Sequence, residues 1–524
     1  MDHESAALFA IGLTLLALLV TAAARRTALP DPVVLCLAGV AASALPGLPD
    51  VDLPPDLVFL VFLPALLYRA SFLTSPQSLR RNATPIALLS VGLVLATAFA
   101  VAVVASVVIP GFGLAEGLVL GAVVAPTDPV AAAGVFSRLG APRRVVDVVE
   151  GESLVNDATA LVLFGLAVEA VVSGPPTAAE AAVRLAVSIA GGVAVGLLVA
   201  LLVSAVRRHL RDVGLQLGLS LLTPYLAYVP ADAVEASGVL AVVTTGVVLG
   251  SRAEGRFSPA VRLQSAALWS LVDLLLNAVL FLLLGLQVRR ILEGAPDVGL
   301  GLVAGAAAAV TLTVLGLRLV WQFVVPPLTY RVRVLAGRPE QRTGTGELLL
   351  IGWSGMRGAV SLAAALAVPL EADGEPFPGR VVILVVTVAV ILATLVLQAT
   401  TLGAVLRRVE TTDRSEEERQ ERAARTALAD VALARLDELE LTGEIPPGSA
   451  QPLRSVWEQA RSRVVGEHRE GEADLVSLRL DLARVQGEEL DRRRREGRLH
   501  PEVARTLRAE LDLQEVRLGQ VPKA

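Results

Sequence analysis

Apolar residues run in long blocks along the first 406 or so positions, and a polar, helix-forming tail follows. A membrane-crossing helix needs roughly 20 apolar residues. Thirteen blocks approach that length: 5–24, 29–47, 56–74, 84–109, 114–137, 146–172, 179–206, 213–230, 236–250, 264–287, 298–326, 348–370 and 380–405. The ninth is short, and Pro224 and Pro230 break up the eighth and its junction with the ninth. The pattern predicts an all-α polytopic membrane protein of 13 transmembrane helices. It divides the chain into a membrane domain over 1–409 and a helical cytoplasmic tail over 410–524.

The short loops between blocks carry charge in alternation. One set holds Arg25-Arg26, Arg80-Arg81, Arg143-Arg144, Arg207-Arg208 with Arg211, Arg252 with Arg256, and Arg331, Arg333, Arg338 and Arg342. The other holds Asp50, Asp52 and Asp56, then Asp232 and Glu235, then Glu371, Asp373 and Glu375, with Arg289-Arg290 the exception. Positive loops face the cytoplasm, which places the N-terminus outside and the tail inside. The first block is read as a retained span, because its leading Met1-Asp2-His3-Glu4 is acidic where a signal peptide is basic.

Composition narrows the chemistry. Hydrophobic residues make up 54% of the chain and mean hydropathy is +0.63, which excludes an ordinary soluble domain. One cysteine, Cys36, excludes an internal disulfide and a cysteine-based zinc site. The four histidines (His3, His209, His468 and His500) fall in termini, loops or the tail. Buried proton handling therefore passes to carboxylates. The net charge of −5 decides little, because the two parts of the chain differ so much.

Two carboxylates lie inside apolar blocks: Asp128 in Ala125-Pro126-Thr127-Asp128-Pro129, and Asp157 in Glu150-Gly151-Glu152-Ser153-Leu154-Val155-Asn156-Asp157. A carboxylate at bilayer depth costs about 3 kcal/mol or more, so it marks a functional site by default. Pro126 and Pro129 unwind the fifth block locally and free carbonyls near Thr127. Freed carbonyls with a carboxylate suit a hard alkali cation; a plain proline kink with Asp128 as a helix cap is the alternative. In the sixth block, Asp157 and Ser153 share one face, and Glu152 and Asn156 share the adjacent one. Arg318 in the eleventh block must also find an acid. Glu152, Asn156 and Arg318 are therefore read as a buried polar brace. That leaves Asp157 unpaired. Desolvation disfavours a bare carboxylate, so the group takes either a proton or a cation, and neutral Asn156 makes the exchange electroneutral. Arg357, in Gly355-Met356-Arg357-Gly358, offsets Asp128 and the half-helix dipoles, or else snorkels. Asn277 is expected to bond between helices, and Asp273 has no assigned role.

Six blocks, then one, then six would permit inverted six-helix repeats, with the fifth and twelfth as partners. Both carry backbone breakers: Pro126 and Pro129 in one, Gly352, Gly355 and Gly358 in the other. Interrupted segments at matching positions of two halves point to a transporter site.

These residues, with Phe62-Leu63-Pro64-Ala65-Leu66-Leu67-Tyr68, the run from Asn277 to Gly285, and Arg357-Gly358-Ala359, resemble the monovalent cation–proton antiporter 1 family over residues 1 to about 406. The resemblance implies unwound, crossing fifth and twelfth helices and a homodimer. It implies Asp157 as the acid that binds cation and proton, and Asp128, Thr127 and Ser153 as the other cation-binding positions. Glu152, Asn156, Arg318 and Arg357 match a supporting polar network, and the Asn-Asp pair matches the electroneutral branch. Arg69 departs from the pattern, since relatives often carry a small or acidic residue there. Sodium is the first expectation for the cation, with potassium the alternative.

The expected function is thus an electroneutral plasma-membrane antiporter serving sodium transport and pH homeostasis. It is not an enzyme; its partners are a monovalent cation, a proton and lipid, with no cofactor and no nucleic acid. An intramembrane aspartyl protease would need a Gly-x-Gly-Asp setting that Asn156-Asp157 does not match. A channel would read ions through symmetric rings. The tail, with Leu428, Val431, Leu433 and Leu436 at helical spacing and a break at Glu444–Gly448, is expected to form several packed helices, or else a solvated appendage.

Overall fold

The fold is given by a computed structural model. It describes residues 3–44, 54–293, 299–335, 343–409 and 414–465, apart from single positions 28, 176, 257, 373 and 447, and also 485, 486, 489 and 492. Asp50, Asp52, Arg338, Arg342, Asp373, His468 and His500 lie outside the described residues. The chain forms two compact units, Met1–Thr411 and Thr412–Ala524.

The first unit is helical almost throughout. Its helices run His3–Ala24, Asp31–Ser43, Pro55–Leu73, Ala83–Val108, Leu114–Val124, Val130–Leu139, Arg143–Val172, Ala178–His209, Val213–Ala233, Gly238–Arg256, Pro259–Glu293, Leu300–Leu335, Thr345–Trp353, Ala359–Leu366 and Arg380–Arg408. Among the described residues, seven helices are long and apolar enough to cross a membrane by length and composition, and five shorter ones are apolar. Local chemistry sets several starts. Thr177 and Glu180 form a capping box, with Thr177 N donating to Glu180 Oε2 at 2.8 Å and Glu180 N to Thr177 Oγ1 at 3.2 Å. Asp212 caps the next helix, accepting from Leu215 N at 2.8 Å. Wider π-type turns interrupt two helices, at Val58–Phe62 and Leu88–Leu93.

The eighth block departs from the reading by proline breaks. Val213–Ala233 is one continuous helix with Pro224 and Pro230 inside it. The hydroxyl of Thr223 donates to Leu219 O at 2.6 Å beside the first proline.

Small residues bring helices together. A β-carbon on Gly39 would stand 2.9 Å from Gly285 Cα, so Asp31–Ser43 and Pro259–Glu293 meet backbone to backbone. Gly117 and Gly121 do the same against Ala102 and Ala98 of the helix Ala83–Val108. Such contacts maximise van der Waals packing, which drives helix association in lipid. Two large apolar cores result. One includes Val101, Val123, Val148, Leu350 and Ile391; the other includes Leu67, Tyr68, Val203, Ala227, Val242 and Trp269. The helix Arg143–Val172 serves both, with Val148 in the first and Leu154 and Ala158 in the second.

The second unit has the helices Arg414–Leu441 and Gln451–Val465, separated by the predicted break, packed together. Arg454 pairs with Asp437 at 2.5 Å and with Glu440 at 3.0 Å. Leu428 and Val431 are exposed, and Ala429 is the buried residue of that stretch.

Candidate ion site

Two pairs of half-helices define the site. Leu114–Val124 ends before Pro126, and Val130–Leu139 begins after Pro129. Thr345–Trp353 ends before Gly355, and Ala359–Leu366 begins after Gly358. The two breaks touch: Asp128 N donates to Met356 O at 2.8 Å. Prolines open the first break by removing donors, and glycines open the second by giving the backbone room.

Asp128 lies at the heart of the crossing. Its Oδ1 accepts from Val130 N at 2.9 Å and so caps the second half of its own helix. Its carboxylate also takes a backbone hydrogen bond from Ala359, the first residue of the opposing half-helix. One carboxylate thus meets the positive ends of two half-helices. Capping, weighed as the alternative role for Asp128, is present in the structure.

Arg357 serves the opposite ends. It is 1% exposed, which rules out snorkelling, and its Nη1 donates to Ala125 O and, at 2.9 Å, to Pro126 O. These carbonyls end the first half-helix, where the dipole is negative. The Ala125 carbonyl, which Pro129 leaves without a helical donor, is therefore taken by Arg357.

Glu152 and Arg318 form a bidentate pair, Nη1 to Oε1 at 2.6 Å and Nη2 to Oε2 at 2.8 Å, and each residue is 1% exposed. Arg318 also donates to Ile351 O at 3.1 Å and Gly352 O at 3.2 Å, closing the end of Thr345–Trp353. Thr127 joins this network: its hydroxyl donates to Glu152 Oε1 at 3.1 Å and accepts from Asn156 Nδ2 at 2.8 Å. Asn156 reaches Thr127 O as well, at 3.3 Å. The side chain of Thr127 therefore joins the brace, and its carbonyl keeps a second lone pair.

Asp157 stands apart. It is 5% exposed, Ser153 one turn away is 6% exposed, and neither carboxylate oxygen of Asp157 makes a hydrogen bond or ion pair among the described residues. Its charged neighbours are Asp128 and Glu152, both acids. Arg318 neutralises Glu152, and Arg357 is the other buried cation at the crossing. Asp128 is thus a charged neighbour of Asp157, and Ser153 stands one turn from it on the same helix. Among the described residues no group of three or more His, Cys, Asp or Glu is placed to hold a metal ion.

Three further features were not anticipated from the sequence. Asn277 bonds within its own helix, Nδ2 to Asp273 O at 3.0 Å, rather than between helices. Asp273 pairs with Arg69 at 2.8 Å. Thr394 and Gln398 in the last helix hold the second break, accepting from Arg357 N at 3.3 Å and donating to Trp353 O at 3.0 Å respectively. Thr387, Thr394 and Gln398 recur on one helical face and are fully buried, a polar stripe that was visible in the sequence.

Comparison with known proteins shows the family and the fold. The family described as "Sodium/hydrogen exchanger, transmembrane" matches residues 13–408. An uncharacterized Na(+)/H(+) exchanger of Mycobacterium tuberculosis is 36% identical over 95% of this chain and 93% of its own length. A sodium, potassium, lithium and rubidium/H(+) antiporter of Bacillus pumilus is 31% identical over 70% of this chain and 56% of its own. The structure of the sodium proton antiporter MjNhaP1 from Methanocaldococcus jannaschii shares the fold, with TM-score 0.60 and 20% identity over 78% of this chain and 99% of that one. The family is one of transporters rather than enzymes, and the chain belongs to it: a multi-pass membrane protein of the sodium/hydrogen exchanger family.

Proposed function

We propose that this protein exchanges sodium for protons across the plasma membrane, one cation against one proton, by competition for the Asp157 carboxylate. The observation that carries the reading is the buried, unpaired state of Asp157 beside Asp128, while Glu152 on the same helix is neutralised by Arg318. A buried carboxylate without a counter-charge is disfavoured. A proton satisfies it on one visit and a cation on the next, never both. Because Asn156 adds no charge, the exchange is electroneutral.

Asp128, Ser153 and the Thr127 carbonyl complete the cation shell in this reading. Glu152, Asn156, Arg318 and Arg357 keep the two half-helix pairs in register without touching the ion. Loop charges support an N-terminus outside and a tail inside. A homodimer is proposed as the assembly. Names of relatives such as the Na(+)/H(+) antiporter NhaP of Pseudomonas aeruginosa, 29% identical over 66% of this chain, support sodium. The Bacillus relative, named for four cations, favours a second reading in which potassium also serves.

Purified protein in vesicles with an imposed pH gradient, challenged with sodium, lithium and potassium, tests the proposal. Sodium should collapse the gradient with no change in membrane potential. Collapse that requires a compensating ion current would refute electroneutral exchange.

A further inference from the structure

A cavity of about 310 Å³ lies between four helices, Ala83–Val108, Arg143–Val172, Leu300–Leu335 and Thr345–Trp353. None of Asp128, Thr127, Ser153 and Asp157 lines it. Its two ends differ. Thr84, Arg144 and Thr345 line it within two residues of the starts of their helices, and Tyr330 lines it near the end of its own. These residues form the mouth, on the side marked by Arg80-Arg81 and Arg143-Arg144. Leu89, Val148, Gln322 and Ile351 line the floor and are at most 4% exposed. Eight residues of one helix, about 12 Å, separate Gln322 from Tyr330.

The floor carries two donors without acceptors. Gln322 Nε2 and Trp321 Nε1 are buried and have no hydrogen-bond partner. Such groups cost stability and call for an explanation. The neighbouring polar brace does not supply one. A β-carbon on Gly352 would stand 3.4 Å from Gln322 Cγ, and the Gly352 carbonyl is taken by Arg318. The amide of Gln322 thus ends beside the brace without joining it.

The mouth carries a cation. Arg144 Nη2 donates to Thr343 Oγ1 at 3.0 Å, and its Nη1 stands 3.6 Å from Glu347 Oε2. A guanidinium has five N–H donors, so Arg144 retains capacity for a second carboxylate. Between mouth and floor the walls are apolar, with Leu88, Phe323, Pro326 and Leu348.

We propose that this cavity binds an elongated organic acid, with its carboxylate on Arg144, an apolar middle, and a neutral hydrogen-bond acceptor at its far end on Gln322 and Trp321. A single chain of about ten carbons matches the 12 Å run. The volume stands at the small end of ligand sites, roughly 300–1,000 Å³, and excludes a two-chain lipid. Binding there is independent of the exchange function proposed above.

The test is tryptophan fluorescence of the full-length protein in lipid nanodiscs, titrated with 10-hydroxydecanoate, decanoate and 1,10-decanediol. The hydroxy acid binds saturably, about tenfold tighter than the diol and about fivefold tighter than decanoate, the effects of one charge-assisted and one neutral hydrogen bond. Arg144→Gln erases the advantage over the diol and leaves that over decanoate. Gln322→Leu erases the advantage over decanoate and leaves that over the diol. Because the amide has no protein partner, Gln322→Leu also holds or raises the unfolding temperature. Trp321→Phe removes the saturable signal. Equal binding of hydroxy acid and decanoate to the parent, as water alone at the floor would give, overturns the proposal. So do advantages that survive both variants, as partition into lipid would give. If Arg144→Gln does not fold, Arg144→Lys, which keeps the charge, must keep the preference for the acid over the diol, and its loss counts against the site.

Discussion

Gly358 and Asp128 share one volume at the crossing of the two helix breaks. A β-carbon at Gly358 would fall on Asp128 Oδ2 and lie 2.6 Å from Asp128 Cβ and Cγ. The acid that caps Val130 can therefore approach the opposing half-helix only because its neighbour has no side chain. Gly358→Ala should force the breaks apart, destabilise the protein by about 1–3 kcal/mol, and abolish exchange. Gly134→Ala is the control: nothing lies within 4 Å of the added carbon, and the site is helical. It should hold or raise stability by about 0.5–1 kcal/mol. Thermal unfolding in detergent with paired flux assays checks both.

Arg318→Ala should be among the most damaging single changes outside the ion-binding positions. It strands the buried Glu152 charge and releases the Ile351 and Gly352 carbonyls. Breaking a buried pair costs about 3–5 kcal/mol. The double variant Glu152→Gln/Arg318→Gln, which removes both charges, should be milder than Arg318→Ala alone. A double variant as unstable as the single would contradict the pairing.

Thr127 separates side-chain from backbone roles. Thr127→Ser keeps the hydroxyl that bridges Glu152 and Asn156 and should retain cation affinity and most stability. Thr127→Val removes it while keeping the carbonyl. It should lower the unfolding temperature through about 1–3 kcal/mol of lost hydrogen bonding and leave the sodium KM within about twofold. A large rise in KM for Thr127→Val with unchanged stability would place the hydroxyl on the ion.

Asp128→Asn should preserve part of the cap on Val130, since an amide oxygen still accepts, but remove a charge from the donor set. The expected outcome is a folded protein with a raised sodium KM and reduced flux. Equal KM for parent and variant would confine Asp128 to capping.

Much of the site was legible because lipid makes polar residues conspicuous. Arg318 had to find an acid, and Glu152 on the adjacent face of the Asp157 helix was the candidate; the bidentate pair follows from that cost. The paired breaks were legible from proline and glycine chemistry. The same reasoning failed at Pro224 and Pro230, which lie inside one continuous helix. It also failed for Asn277, whose acceptor lies one turn back in its own helix. The Arg69–Asp273 pair joins residues 204 positions apart, each noted within an apolar block but not matched to the other. Only packing could reveal it. Tail positions Leu428 and Val431 show the converse error, since helical spacing of apolar residues does not fix which side a helix buries.

The central claim is that one side chain, Asp157, is host in turn to a proton and to an alkali ion. Its most direct test is sodium-driven proton flux through purified Asp157→Asn protein in vesicles, with the unfolding temperature measured alongside. Folded protein with no flux at any sodium concentration is the outcome expected. Folded protein that still exchanges sodium for protons would contradict it.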